Sequence, residues 1–442
     1  MRTAATLLSV WHQHDTALPH AVILLRMRHV YLHVPFCRRR CTYCDFSIAV
    51  RKRIAAREYV DAVVQELRQG LTDPGRKPGD LGAAVTDPVG ATDPGRKPGD
   101  LRAGITDPGR LPGDSEDGLE TIYFGGGTPS LLPPEALATL LTSLRDAFPV
   151  TSFRDDVEVT LEANPEDVTQ DAATSWRRAG VNRISLGAQS FDDRVLQWMH
   201  RSHDAARIGA AVRTLRGAGI DNISLDLIFA LPTELERDWA RDLEQALALG
   251  PAHLSLYGLT VEDRTPFARW ISRGAAAPPD DDRYADEYLL AHSRLAACGY
   301  RFYEVSNAAR DGRRSRHNSA YWSGRAYGGL GPAAHSFDGA MRRWNLAAWE
   351  AYSRAVAAGR SPIASQEVLT DEQRELERVY LALRTDAGLP VAALCRPLPP
   401  SAALWQERGW VEIRDERLVC CPEGWLRLDA LARDLTGCGV TG

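Results

Sequence analysis

No uninterrupted apolar run in the 442 residues reaches the length of about eighteen that a membrane span needs, so no transmembrane segment is expected. Basic charge is not in excess either. Lys and Arg number 53 against 58 Asp and Glu, and the net charge of −5 gives no general pull toward nucleic acid or anionic lipid. Cysteine is scarce and uneven: of eight, three fall at 37, 41 and 44 and the rest at 298, 395, 420, 421 and 438. That spread excludes a secreted disulfide scaffold and predicts a metal site in a reducing cytosol, hence a cytoplasmic protein. The adjacent Cys420 and Cys421 read as small hydrophobes beside a strand. Residues 1–26 lack the unbroken apolar block and small-residue cleavage site of a secretory signal, their two short apolar runs being split by HQHD. They read as a leader or a mis-called start ahead of Met27.

What is present is an ordinary globular balance, 44% apolar and 25% charged, enough for a sizeable core. TDPGRKPGDL occurs at 72–81 and 92–101, and TDPGRLPGD follows at 106–114. Asp-Pro-Gly and Pro-Gly turns every few residues forbid helix and strand, so 71–118 reads as a flexible surface insertion. Around it, strand and helix patterns alternate. Strands are expected at 29–34, 121–127, 156–164, 183–190, 222–232 and 252–260, with helices near 53–71, 134–147, 171–180, 204–218 and 235–249. This repetition predicts an α/β fold, a parallel sheet curled into a partial TIM-like barrel over 27–265. An irregular extension follows over 266–368, and a small α+β module resembling a winged helix over 369–442.

Chemistry-bearing residues fall at the C-terminal strand ends, where such barrels work. Cys37, Cys41 and Cys44 form a C-x3-C-x2-C loop directly behind the first strand. Two readings stand: a zinc site completed by His33 or a remote residue, or a [4Fe–4S] cluster with three thiolates and one open iron. GGGTP at 125–129 lets backbone approach a ligand, but it lacks GxGxxG spacing and a P-loop lysine, so a nucleotide phosphate is not expected. Glu162, Gln189 and Asp226 sit at matching places on three strands and argue for a polar ligand across the mouth. Arg201 could pair with a carboxylate of that ligand.

YLHVPFCRRRCTYCDF, YFGGGTPSLL, LEANPEDVT, RISLGAQSFDD and SLDLIFALP resemble the radical S-adenosylmethionine superfamily. Within it they resemble the oxygen-independent coproporphyrinogen III dehydrogenases, and more closely the HemW-type haem chaperones, over about 27–70 and 118–430. The resemblance implies that Cys37, Cys41 and Cys44 hold a [4Fe–4S] cluster. It also implies that Tyr31, Gly126, Gly127, Thr128, Glu162, Gln189, Arg201 and Asp226 contact S-adenosylmethionine. In the dehydrogenases a fourth cysteine stands two past the third; here that place is Phe46. HNSAYW matches the HNxxYW signature tied to haem in the chaperone group, which implies His317, Asn318, Tyr321 and Trp322 as haem contacts, with His335 a second candidate. The bland reading of HNSAYW is a structural loop. Ala230 in ALPTE stands where the resemblance has a glycine.

Three functions are weighed: a haem chaperone that passes haem to acceptor proteins and takes electrons from a donor; a coproporphyrinogen III dehydrogenase; and a zinc-stabilised binding module. Phe46 and HNSAYW favour the first over the second. GGGTP, LEANP, Gln189 and Asp226 disfavour the third.

Overall fold

The computed structural model describes residues 27–71, 118–148, 153–394 and 397–437, so the expected leader and nearly all of the repeat insertion lie outside the described residues. Six strands build the core of the sheet: β1 His29–Val34, β2 Leu119–Gly126, β3 Phe153–Ala163, β4 Arg183–Gln189, β5 Asn222–Phe229 and β6 His253–Gly258. They pair in sequence order and all in parallel. Helices return the chain between them: α1 Ala56–Leu71, α2 Pro134–Ala147, α3 Gln170–Ala179, α4 Ala205–Gly217 and α5 Trp239–Ala248. The starts of α3, α4 and α5 are fixed by the side chains of Thr169, Asp204 and Asp238, each accepting from a first-turn N–H that the helix leaves unpaired.

The strands alternate strictly. One parity is apolar and fully buried: Val30, Leu32, Val34, Ile122, Phe124, Ile184, Leu186, Ile223, Leu225, Leu227, Leu254 and Leu256. Removing each of these side chains from water contributes about 1.5–3 kcal/mol, and this layer against the helices is the main core. The other parity is polar. The register puts His29 beside Thr121 and Glu158, Tyr31 beside Tyr123, Thr160 and Arg183, and Glu162 beside Ser185, Ser224 and His253. A doubly covered parallel sheet ordinarily reads as continuous hydrophobic runs. Here the inner face is built of groups that hydrogen-bond.

Beyond α6 Asp281–Ala297 the chain adds β7 Arg301–Glu304 and β8 Asn307–Ala309, α7 Arg316–Trp322 and β9 Gly328–Leu330. β8 pairs antiparallel with β6, while β9 pairs parallel with β1, so the nine-stranded sheet runs β9-β1-β2-β3-β4-β5-β6-β8-β7. The segment 301–330 therefore reaches from one edge of the half-barrel to the other, and α7 crosses between. Buried Glu66 of α1 fixes the return: it accepts from Gly331 N at 2.8 Å, Asn345 Nδ2 at 2.6 Å and Tyr352 Oη at 2.6 Å. Toward the C-terminus, helices Asp371–Leu383, Ser401–Glu407 and Leu428–Thr436 pack with a hairpin of Val411–Arg414 and Arg417–Cys420, the small α+β module. Among the described residues no helix is long and apolar enough to cross a membrane.

Ala230, just past β5, has φ +56°, the left-handed region that disfavours a Cβ, while its N–H donates to buried Glu287 Oε2 at 2.7 Å. Ala230→Gly is expected to raise unfolding stability by about 1 kcal/mol, read from a denaturant midpoint at unchanged slope.

Candidate cofactor site

The cysteine loop is anchored before it is functional. Phe36, two residues past β1, is fully buried and packs edge-on against Tyr59 and Trp349, with ring centroids 5.8 and 5.4 Å away. Cys37 follows it into the mouth of the half-barrel, where its Sγ lies 3.3 Å from Thr128 Oγ1. Arg201 Nη1 lies 3.6 Å from Cys41 Sγ, and the Cys44 N–H donates to the Cys41 carbonyl at 3.4 Å. Burial pushes the Cys37 thiol up and that of Cys44 to about 11, and the neighbouring thiols push each further. All three sulfurs thus lie within electrostatic reach of one another. A metal that takes them as thiolates displaces their protons.

The glycines are needed because the sulfur is so close. A Cβ on Gly127 would sit 2.7 Å from the Phe36 carbonyl oxygen and 3.0 Å from Cys37 Sγ. Gly126 holds φ +112°, and a Cβ there would meet the His33 ring at 2.7 Å. Its N–H donates to Glu162 Oε2 at 3.1 Å, and Tyr123 Oη donates to the other carboxylate oxygen at 2.9 Å. Burial, then the charge of Asp226, pushes Glu162 up to about 7, although both hydrogen bonds pull the other way. Asp226 is also raised by burial; it accepts from Ser185 Oγ at 2.9 and 3.0 Å and from Ser224 Oγ at 3.1 Å.

Gln189 ends β4 with φ +67° at a break in the register, the kind of strained backbone that persists where its surroundings impose it. Arg201 is held by Asn164 Oδ1 at 2.5 Å and the Gly187 carbonyl at 3.0 Å, which aims it at the cysteine loop. Tyr31 lies one layer deeper, its ring beside those of Tyr123 and His317, which stack on each other at 5.0 Å. At one end of the half-barrel Cys37 thus meets Gly127 and Thr128, Gly126 meets Glu162, and Cys41 meets Arg201. Gln189 and Asp226 stand beside them on neighbouring strands.

His33, weighed as a fourth zinc ligand, has both ring nitrogens engaged: Nδ1 with Tyr31 Oη at 3.1 Å and Nε2 with the Ser47 carbonyl at 3.3 Å. Burial lowers it to about 4, so it is a neutral donor to that carbonyl. Among the described residues no three His, Cys, Asp or Glu side chains converge on a point that would hold a single ion. A cubane asks something different, one thiolate per iron. The donor set, three thiols at a mouth lined with glycine backbone, carboxylate and guanidinium, fits such a cluster.

The HNSAYW residues occupy α7, at the opposite end of the polar interior. His317 is 1% exposed. Its Nδ1 lies 2.6 Å from Thr121 Oγ1, its Nε2 lies 2.8 Å from Tyr321 Oη, and its backbone N–H donates to Glu158 at 3.1 Å. Burial drives its pKa far down, so the ring is neutral. Trp322 faces elsewhere, beneath the Arg384 guanidinium at 4.1 Å, and the Asn318 N–H is spent on Ser315 Oγ at 3.3 Å. His335 is exposed and stacks on Trp344.

Several residues of the site escaped sequence reasoning. Asn164 positions Arg201, and Tyr123 positions Glu162. Arg183, 1% exposed on the inner face, sets a positive charge against Glu162 and Asp226. The signal was in the sequence: every second residue of RIS, NISLD and HLSLY is polar, a period-2 face on strands expected to be apolar throughout.

The Radical SAM superfamily model matches residues 113–246. The haem chaperone HemW of Mycobacterium tuberculosis (strain ATCC 25618 / H37Rv) is 37% identical over 408 residues, 92% of this chain and 94% of the relative. HemW of Bacillus subtilis (strain 168) is 31% identical over 364 residues, 82% and 85% of the two chains. Among solved structures, the coproporphyrinogen III oxidase HemN of Escherichia coli, a radical SAM enzyme, superposes with a TM-score of 0.70 at 21% identity, covering 94% of this chain and 92% of that one. That likeness is one of fold. With sequence identity above 30% along almost the whole length of both chains, this protein belongs to the HemW family of the radical SAM superfamily.

Proposed function

We propose that the protein is a cytoplasmic haem chaperone that carries a [4Fe–4S] cluster and binds S-adenosylmethionine, handing haem to acceptor proteins. The observation that carries the cofactor reading is the trio Cys37, Cys41 and Cys44 beside Thr128, Gly127 and Arg201, with His33 engaged elsewhere. Position 46, where the dehydrogenases have a further cysteine, holds a Phe that is 58% exposed and ligates nothing. Names along the family support the haem reading; the relatives matched over nearly the full chain are haem chaperones.

In this reading Cys37, Cys41 and Cys44 hold the cluster, whose open iron supplies a chelation point for an amino acid's amine and carboxylate. The chain does the rest. Glu162 and the backbone carbonyls of Gly126–Thr128 would accept from the N–H groups of that amine, and Arg201, prepositioned by Asn164, would answer the carboxylate. Gln189 and Asp226 receive ribose hydroxyls, and Tyr31 floors the pocket. An external donor supplies electrons to the cluster.

Glu162 gives this site a pH dependence. An ionised carboxylate is the stronger acceptor for those N–H groups, and Glu162 in the free protein is protonated below about 7. S-adenosylmethionine affinity is therefore expected to fall as the pH drops through that value, approaching about tenfold per unit. Glu162→Gln flattens the profile in isothermal titration; an unchanged slope in that variant counts against the assignment. For the empty protein the sign reverses. Glu66 and Glu162 bind protons more tightly folded than unfolded, so the stability they contribute is lost as the pH rises from the ordinary carboxylate range to about 7.

Anaerobic titration with haem tests the main reading, and a Soret band that shifts on binding is expected. Incubation with coproporphyrinogen III, reductant and S-adenosylmethionine is expected to yield no protoporphyrinogen. Turnover there would replace the chaperone reading with the dehydrogenase.

A further inference from the structure

Three adjacent strands carry unpaired polar groups at one level of the half-barrel's interior. Thr160 of β3, Arg183 of β4 and Asn222 of β5 stand side by side in register, on the inward parity. Thr160 is fully buried and Arg183 is 1% exposed. Among the described residues Thr160 Oγ1, Arg183 Nε and Asn222 Oδ1 have no hydrogen-bond partner. Resting on the chaperone reading, we propose that this level is a carboxylate site, where Arg183, with Thr160 and Asn222 beside it, receives a propionate of the haem.

Arg183 is the exception among its kind. Three arginines are buried among the described residues, and the other two are paired, Arg237 with Glu287 at 2.9 Å and Arg343 with Asp338 at 3.0 Å. Arginine is rarely buried without a partner, because taking its charge out of water is costly. The acids around Arg183 are spent elsewhere. Glu158, one layer below on β3, accepts from the backbone N–H groups of Arg316 and His317. Glu162, one layer above, accepts from Tyr123 and Gly126, and Asp226 of β5 from Ser185 and Ser224. Burial keeps the other groups that feel its charge, His253, Tyr303 and His317, neutral. The five N–H donors of the guanidinium are therefore left for a ligand.

This level faces the mouth. Tyr31, Tyr123, Glu162 and Asp226, which share it or overlie it, are half-buried, and Tyr257 at the end of β6 is 46% exposed. Their rings give the approach flat apolar walls. α7 borders the same interior, since His317 stacks on Tyr123 with centroids 5.0 Å apart. A ligand anchored at Arg183 thus stands beside the helix that carries HNSAYW.

Arg201 cannot serve this end of the interior. It is held by the Gly187 carbonyl, four residues further along β4 than Arg183, about 13 Å away at the rise of an extended strand. An amino-acid carboxylate answered by Arg201 leaves Arg183 for a second molecule, and haem brings two carboxylates. A guanidinium takes one of them in two parallel hydrogen bonds, and the Thr160 hydroxyl and Asn222 amide add a donor each.

The test is anaerobic titration of the full chain, followed at the Soret band, with haem and with haem dimethyl ester, whose propionates are blocked. Wild type is expected to bind haem at least about tenfold more tightly than the diester. Arg183→Met is expected to bring the two to parity by weakening haem alone. Its melting temperature is expected to equal or exceed that of wild type, because an unpaired buried cation gives way to an apolar chain. Thr160→Val keeps the shape and removes the hydroxyl; it is expected to narrow the preference about threefold, and it decides the matter if Arg183→Met does not fold. A preference for haem that survives these variants overturns the site and leaves the chaperone reading standing, as does wild type that binds both porphyrins equally. S-adenosylmethionine affinity lost in Arg183→Met, with the haem preference intact, gives the guanidinium to the other carboxylate and also overturns the site. Wild type that binds no haem overturns the chaperone reading and the site with it.

Discussion

Replacing Cys41 by alanine is expected to give a folded, colourless protein with essentially no iron or acid-labile sulfide after anaerobic reconstitution. Cys41 is half-buried in an irregular loop and makes no core contact, so its removal leaves the sheet and the Phe36 anchor intact. What it does remove is one of three ligands. Two thiolates cannot hold a cubane, and among the described residues the other cysteines stand apart from this loop, Cys298 just past α6 and Cys420 and Cys421 at the end of the C-terminal hairpin. Deleting 72–117 is the matched control: the insertion separates α1 from β2, and the variant is expected to load iron like wild type. A brown Cys41→Ala protein would mean that the ligands lie elsewhere.

The second large effect concerns stability. His317→Ala leaves Tyr321 Oη without its ring-nitrogen partner, leaves Thr121 Oγ1 with His29 Nδ1 alone at 3.0 Å, and opens a void beneath the Tyr31 and Tyr123 rings. A buried polar group left unpaired costs about 1–3 kcal/mol and the void adds to it, so a loss of about 2–4 kcal/mol in chemical denaturation is expected. Unchanged stability in that variant would mean that this buried network contributes little to the fold.

Where local rules decide structure, the sequence was readable. β1 is found at His29–Val34 and α2 at Pro134–Ala147, the bounds their patterns predict, and the remaining strands and helices of the half-barrel differ by a few residues at their ends. Long amphipathic periods, Asp and Thr caps and apolar strands carry that information within a window of a dozen residues. The glycine triplet, Glu162 and the cysteine loop were likewise legible, because each breaks an otherwise apolar strand end.

Non-local structure was not legible. GGL at 328–330 reads as a loop and is a strand only because the edge of β1 is open to it. RHNSAYW is too short to announce a helix by period, and its capping by Ser315 and Glu158 joins residues more than a hundred positions apart. That Cys420 is buried and Cys421 half-buried depends on which face of the hairpin the C-terminal module covers. The polar inner face was visible as alternation, but its meaning needs the register that sets Arg183, Glu162 and Asp226 around one space.

The most direct test of the central claim is EPR of the anaerobically reduced protein, recorded before and after S-adenosylmethionine is added. Three thiolates with one open iron facing the mouth of the half-barrel predict a [4Fe–4S]⁺ signal whose g-values move on addition, with the shift weakened in Glu162→Gln. A spectrum that does not respond to S-adenosylmethionine, or a protein that takes up zinc and shows no iron–sulfur signal, would contradict the account.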